Sequence, residues 1–598
     1  MARDSVGCSA AAVRDECPKS ALRSGLGLSR RASCRRQTCK EVLYMAAIFP
    51  PLTRDVFSGA VDQGNGDVSF ALWAPGKKSV HVIGDFNGWN RAADRLLKQD
   101  NDLWVIRKKL KPGRYRYQFL IDGELVIVDP YARAVEQPSR DDAPYGVVEV
   151  GKPAFEWKHD DWQRPLFSDL IIYELHIADF TAEGTFRAAT DRLDYLAGLG
   201  INAVELLPVT QGDSEEDWGY RPVNYFAARC RYGTADDLKQ LVDQAHARGI
   251  AVILDVVFSH SSDQHPFNRM YPYDRSPWYG EGIGGPNEFG LPTFDHRRDV
   301  VRAFLRDVQN YWLGEFHVDG FRYDYAINIG VEGDKGLPFL ARQARIALPA
   351  VYLIGEYLPE DPKRVGAAEL DAAWHVRSCY ALKALVMQGE YKIYDGRNFD
   401  KTIKAFDPRN EDYQKASRMI NYIESHDEAR LVHELIDMGV PPDPSRRKLA
   451  LAASVLFTAP GIPQMYHGQE FGETAHLIKN ERNPLRWELL STEGGQGLFN
   501  HYQRLCRLRR KHPALRNEGY SLDASHNDEK WMVFHRWNEA GDVVVVAANF
   551  SDEPRTIPVP FPETGLWREV FRDEVHDVKQ DKLDYGLEPN TAAIFVRE

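Results

Sequence analysis

Hydrophobic and polar positions change their period along the chain, and each change marks a different architecture. From about Asp67 to Val150, short alternating runs are separated by Gly, Pro, Asn and Asp; Val68–Pro75, Ser79–Gly84 and Arg114–Leu120 are the clearest. This pattern predicts strands of a small β-sandwich over residues 65–152. From about Asp169 to Ala514, continuous apolar runs alternate with stretches of helical spacing. Leu170–His176 precedes an amphipathic stretch from Thr185 to Leu199, then Ala203–Pro208; a second helical stretch, Ala235–Arg248, leads into Ile250–Phe258. Roughly 350 residues of such alternation predict an α/β fold, one (β/α)8 TIM barrel over residues 165–515. A doubly wound sheet would want a glycine-rich phosphate loop after its first strand, and Tyr173–His176 offers none. The polar, Gly- and Pro-rich segment 261–296 reads as an excursion between the third strand and its helix. Beyond Arg516, alternating runs such as Val543–Asn549 predict a C-terminal β-sandwich domain over 516–598.

Three acids stand at the downstream ends of apolar runs in the barrel region. The runs are Val318–Asp324, Val351–Glu356 and Met419–Asp427, each read as a buried strand. A carboxylate is costly to bury, so three such placements invite a common explanation. Strand ends of a parallel barrel share one face, which would gather Asp324, Glu356 and Asp427 in one pocket.

Composition changes this picture little. The chain of 598 residues is too long for one core and suggests two to four domains. A formal charge of −12 argues against nucleic acid and leaves a neutral partner as the better fit. The 13 tryptophans are read mainly as core, Trp89 and Trp104 included, with sugar stacking the second reading. The absence of an apolar run of about eighteen residues predicts no transmembrane helix. Four of the seven cysteines, Cys8, Cys17, Cys34 and Cys39, precede Met45 among paired arginines, without a Cys-x-x-Cys zinc pair. Residues 1–60 are therefore expected to be a disordered leader, or partly sequence upstream of a true start at Met45. Cys230, Cys379 and Cys506 are scattered and read as thiols of a reducing, cytoplasmic compartment.

Beyond residue 65 the chain resembles glycoside hydrolase family 13, the α-amylase family. The segments that carry the resemblance are Asp255–His260, Gly320–Asp324, Gly355–Glu356 and Glu424–Asp427, in the family's order, with Trp218–Phe226 before them. Asp85–Asn90, Pro112–Gly113 and Ile121–Gly123 likewise resemble a family 48 carbohydrate-binding module, expected here to serve mainly as a docked structural partner. The resemblance implies that Asp324 is the nucleophile, Glu356 the general acid and base, and Asp427 the carboxylate that holds sugar hydroxyls. It further implies that Arg322 orients the nucleophile and that Tyr220, Asp255, His260 and His426 line the subsite at the scissile bond. The implied partner is an α-glucan, with no nucleic acid or membrane, and no cofactor or metal. Ser259 replaces an asparagine that in many members helps to bind calcium, which argues against a structural calcium.

Retaining cleavage needs one ionised and one protonated carboxyl about 5 Å apart. Their surroundings must therefore separate the two pKa values. Arg322, two residues before Asp324, is expected to favour the charged nucleophile; Glu356, after Leu353-Ile-Gly355, is expected to sit in an apolar setting that keeps it protonated. A structural ion pair between Asp255 and Arg322 is the bland alternative, His176 reads as a brace, and Glu424 reads as structural.

Specificity signals divide. Ser259, Glu424–Asp427 and the N-terminal module resemble branching enzymes; Leu456–Glu470 and Arg482–Trp487 resemble amylases and neopullulanase-like hydrolases; Tyr173–Phe186 resembles maltooligosyl trehalose trehalohydrolases. The leading expectation is hydrolysis of α-1,4-glucosidic bonds in starch- or glycogen-type chains through a covalent intermediate. Branching transfer is its closest rival and trehalose release a third reading. A noncatalytic glucan-binding protein is disfavoured by the intact acids.

Overall fold

The computed structural model describes residues 59–137, 144–213, 218–478 and 481–598. Residues 1–58 of the predicted leader, with its four cysteines, lie outside the described residues. Gly59 and Ala60 open a strand, Gly59–Asp62, that pairs antiparallel with Asp67–Trp73, so sandwich structure begins before the expected residue 65.

Eight parallel strands close into a barrel: β1 (Ile172–Leu175), β2 (Ala203–Leu206), β3 (Ala251–Val256), β4 (Gly320–Tyr323), β5 (Tyr352–Gly355), β6 (Ala372–His375), β7 (Met419–Asn421) and β8 (Ile462–Tyr466). Every residue of these strands is buried, which is why they read as continuous apolar runs rather than alternating ones. The predicted helix Thr185–Leu199 is divided into Phe186–Thr190 and Leu193–Leu199. Helix Ala235–His246 begins at a capping box in which Thr234 and Asp237 satisfy each other's backbone N–H groups.

The run Met419–Asp427 does not form one strand: β7 stops at Asn421. The Ser425 hydroxyl accepts the N–H groups of Asp427 and Glu428 at 3.2 Å, and Glu424 Oε1 accepts that of Leu431 at 2.8 Å. These side chains offer the backbone a turn in place of a ladder. Asp427 consequently stands on a loop, with 41% of its side chain exposed, rather than at a buried strand end.

Antiparallel sheets flank the barrel. On the N-terminal side, a four-stranded sheet that includes Asp67–Trp73 and Leu103–Lys109 accompanies a five-stranded one that includes Val80–Gly84 and Gly113–Ile121. A six-stranded sheet with Val543–Asn549 at its centre and a two-stranded partner form the C-terminal domain. Trp104, 4% exposed, donates its indole N–H to the Ala74 carbonyl and is part of the sandwich core. The segment after β3 runs to a helix at Asp299–Glu315, and the N-terminal domain docks on it. Trp73 meets Trp278 edge-on at 5.4 Å, and the Tyr271 hydroxyl donates to the Pro75 carbonyl at 3.0 Å. Tyr131 stacks on Phe226 at 5.2 Å nearby.

Candidate active site

Strand register sets the site. Asp255 on β3 stands beside Arg322 on β4, and Asp324 and Glu356 each follow the last residue of their strand. Backbone bonds hold both acids at the barrel mouth: the Asp324 N–H donates to the Val256 carbonyl and the Glu356 N–H to that of Tyr323, each at 3.0 Å. The next residue, Tyr325, takes the left-handed conformation at φ 44° and donates its N–H to Glu356 Oε2 at 2.8 Å. A tyrosine in that region is strained, and the bond to Glu356 is part of what holds it there.

Arg322 is fully buried among these carboxylates. Its Nη1 donates to both Asp255 oxygens at 2.9 Å and to Asp324 Oδ1 at 3.1 Å, while Nη2 lies 3.2 Å from Glu356 Oε2. The indole of Trp374 on β6 lies 4.3 Å from the guanidinium carbon. The Asp255–Arg322 pair is thus present and continuous with the acids.

This geometry corrects the expected electrostatics. Glu356 does not sit in a purely apolar setting: the Arg322 guanidinium and the Tyr325 N–H both meet its carboxylate. Asp324 is not held below the usual carboxylate range. Burial, and next the Glu356 carboxylate, push its carboxyl well up against the pull of Arg322. Burial also raises Asp255, opposed by Arg322. The guanidinium itself is held protonated far above its ordinary range: burial opposes the charge, and Asp255 and Glu356 outweigh it.

A second chain of contacts continues from Asp255. The Tyr220 hydroxyl donates to Asp255 Oδ2 at 2.6 Å. His426 Nε2 lies 2.9 Å from that hydroxyl and 3.2 Å from Asp427 Oδ2, and its ring stacks on Tyr220 at 5.2 Å. The other nitrogen, Nδ1, is 2.5 Å from Glu174 Oε1. Burial works against the imidazolium, but Asp427 and Glu174 raise its pKa well above the ordinary value, so His426 is a buried cation.

His260 differs from expectation. Burial lowers its pKa to about 4, so the ring is neutral. Nε2 bonds the Tyr220 carbonyl at 2.9 Å, and Nδ1 accepts from Ser259 Oγ at 2.8 Å and Asn287 Nδ2 at 3.1 Å. Both nitrogens are engaged by protein, and the ring supports the Tyr220 backbone. His176 is braced by Asp179 at 2.7 Å and Tyr232 at 3.0 Å. Glu424 caps the turn before Leu431, its carboxyl pushed up to about 7 by burial.

Four residues escaped the sequence reading. Glu174 and Glu205 are acids inside the buried strands β1 and β2, a signal of the same kind as the strand-end acids. Burial pushes the Glu205 carboxyl far up, and its Oε2 has no hydrogen-bond partner. Trp374 lies on β6, a strand that the sequence pattern did not single out. Asn287 had no sequence signal, because the excursion that carries it is brought to His260 by the tertiary fold.

Comparison with known proteins fits this architecture. The family model described as alpha amylase, catalytic domain, matches residues 156–279 and 287–493. Carbohydrate-binding module 48 (isoamylase N-terminal domain) matches 58–132, and the alpha amylase C-terminal all-beta domain matches 522–598. A 1,4-alpha-glucan branching enzyme, GlgB, of Mycobacterium tuberculosis is 30% identical over 565 residues, covering 85% of this chain and 74% of that protein. A malto-oligosyltrehalose trehalohydrolase of Saccharolobus solfataricus is 29% identical over 437 residues, covering 68% of this chain and 74% of its own. Among solved structures, a putative alpha amylase from Salmonella typhimurium shares the fold at TM-score 0.72 and 22% identity, covering 90% of this chain and 99% of that one. The barrel, its flanking β domains and these matches together establish that the chain belongs to the α-amylase family of glycoside hydrolases and transglycosidases.

Proposed function

We propose that this enzyme cleaves α-1,4-glucosidic bonds of starch- or glycogen-type chains with retention, through a glucosyl ester on Asp324, and passes the glucosyl group to water. The observation that carries this reading is one buried guanidinium in contact with both Asp324 and Glu356. Two carboxylates sharing one guanidinium support a reading in which one serves as nucleophile and the other as proton donor, the pair that double displacement uses. In the first step, the Asp324 oxygen bonds to the anomeric carbon as the glycosidic bond breaks, and the leaving oxygen takes the proton from Glu356. In the second, Glu356 removes a proton from water, whose oxygen displaces Asp324 and restores the free acid pair. In this reading Asp427, which contacts His426, accepts hydrogen bonds from sugar hydroxyls, and Tyr220 closes the base of the same subsite.

Transfer to a 6-hydroxyl of another chain, which is branching, is the second reading, favoured by the 30% identity to a branching enzyme across 74% of that protein. The chemistry is shared up to the glucosyl ester, and the acceptor differs. Incubation with amylose separates the two. Rising reducing ends without new α-1,6 signals in the proton NMR spectrum support hydrolysis. New α-1,6 linkages at constant reducing ends reject it in favour of branching.

A further inference from the structure

Near the acid pair, the molecule carries a second set of ligand-bearing side chains with no part in that chemistry. Glu360 lies four residues beyond Glu356 on the loop leaving β5, His375 ends β6, and Glu411 ends the helical turn Pro408–Glu411. One ligand atom from each lies within 4.8 Å of the others.

His375 is fully buried, and its Nδ1 lies 2.8 Å from Asn421 Oδ1. The Asn421 amide nitrogen donates to the Pro460 carbonyl at 2.7 Å, which fixes its oxygen toward the histidine. Nδ1 must therefore carry the proton, and Nε2 presents a lone pair that meets no protein donor. An acceptor that fixes the tautomer from behind is the usual support of a metal-binding histidine. The Tyr413 hydroxyl is also buried without a hydrogen-bond partner, and its ring stands edge-on to His375 at 5.6 Å. Arg377 approaches from the solvent side, 41% exposed, with Nε 3.3 Å from Glu360 Oε2 and Nη1 on Glu411. It offsets one of the two carboxylate charges and supplies nothing to the imidazole lone pair.

We propose that Glu360, His375 and Glu411 bind a divalent first-row metal ion that ties together the loops following β5 and β6. One imidazole nitrogen with two carboxylates suits zinc or a similar borderline cation better than calcium, which prefers all-oxygen shells. The ion would anchor the loop that begins at Glu356 and take no part in bond cleavage.

The test uses the full chain, free of any affinity tag, dialysed against EDTA and titrated calorimetrically with zinc sulfate at neutral pH. The expected result is about one zinc per chain, the stoichiometry of a single such site. Asn421→Ala should weaken binding about tenfold or more by freeing the tautomer. His375→Ala should abolish it; if circular dichroism shows that variant unfolded, Glu411→Gln at the rim gives the deciding titration and should lose most of the affinity. No zinc uptake by the folded wild-type chain, or the same affinity in folded Glu411→Gln, would overturn the proposal.

Discussion

Arg322 is the residue on which the site's electrostatics turn, because one guanidinium serves Asp255, Asp324 and Glu356 together. Replacing Glu356 with glutamine keeps the bond from the Tyr325 N–H but removes the proton. Turnover on amylose should fall by about a hundred- to ten-thousand-fold, with glucan affinity and the circular dichroism spectrum retained. The raised Asp324 pKa has a definite sign: attack needs the anion, so activity is lost as pH falls through that raised value. The acid limb of kcat/KM should therefore lie above the ordinary aspartate range, and a limb at or below pH ~4 would contradict the burial argument. Glu174 acts as a positioning residue through His426. Glu174→Gln should lower the His426 pKa, seen by NMR titration of the ring, and weaken kcat/KM by about tenfold, the value of one charge-assisted hydrogen bond. An unchanged ring titration would remove Glu174 from the account.

At the scale of elements, six barrel strands, β1 to β5 and β7, were legible because buried parallel strands leave continuous apolar runs, whereas β6 and β8 were not singled out as strands; Ala235–His246 was legible because its spacing and capping box are local. What sequence period could not report was where a strand stops when side chains capture the backbone. Met419–Asp427 reads as one run, yet Ser425 and Glu424 turn the chain after Asn421 and put Asp427 on a loop. The setting of Glu356 was misread for a related reason, since the groups that meet its carboxylate, Arg322 and the Tyr325 N–H, come from another strand and the turn that follows it. Asn287 illustrates the remainder: a contact across 27 residues leaves no periodic trace. Ser425→Ala tests the turn. Losing acceptors worth ~1 kcal/mol should misplace Asp427 and raise KM several-fold while the melting temperature changes little. An unchanged KM would show that the loop is held by other means.

Across the whole molecule, the N-terminal sandwich is tied to the excursion after β3 through Trp73, Trp278 and Tyr271, and that excursion delivers Asn287 to His260. The module is thus a structural partner of the active-site wall. Deleting residues 59–152 should expose the apolar faces of Phe226 and Trp278 and lower the barrel's thermal midpoint, as monitored by circular dichroism. A barrel that melts unchanged would contradict the docking. Among the described residues no helix is long and apolar enough to cross a membrane.

The glucosyl ester itself can be sought in the Glu356→Gln variant, which retains the nucleophile but lacks the base that releases it. Incubation with α-maltosyl fluoride, whose leaving group needs no proton, followed by peptide mass spectrometry should find one added maltosyl unit on the peptide containing Asp324. The same label on any other peptide, or none despite binding of the donor, would contradict the double displacement assigned to this site.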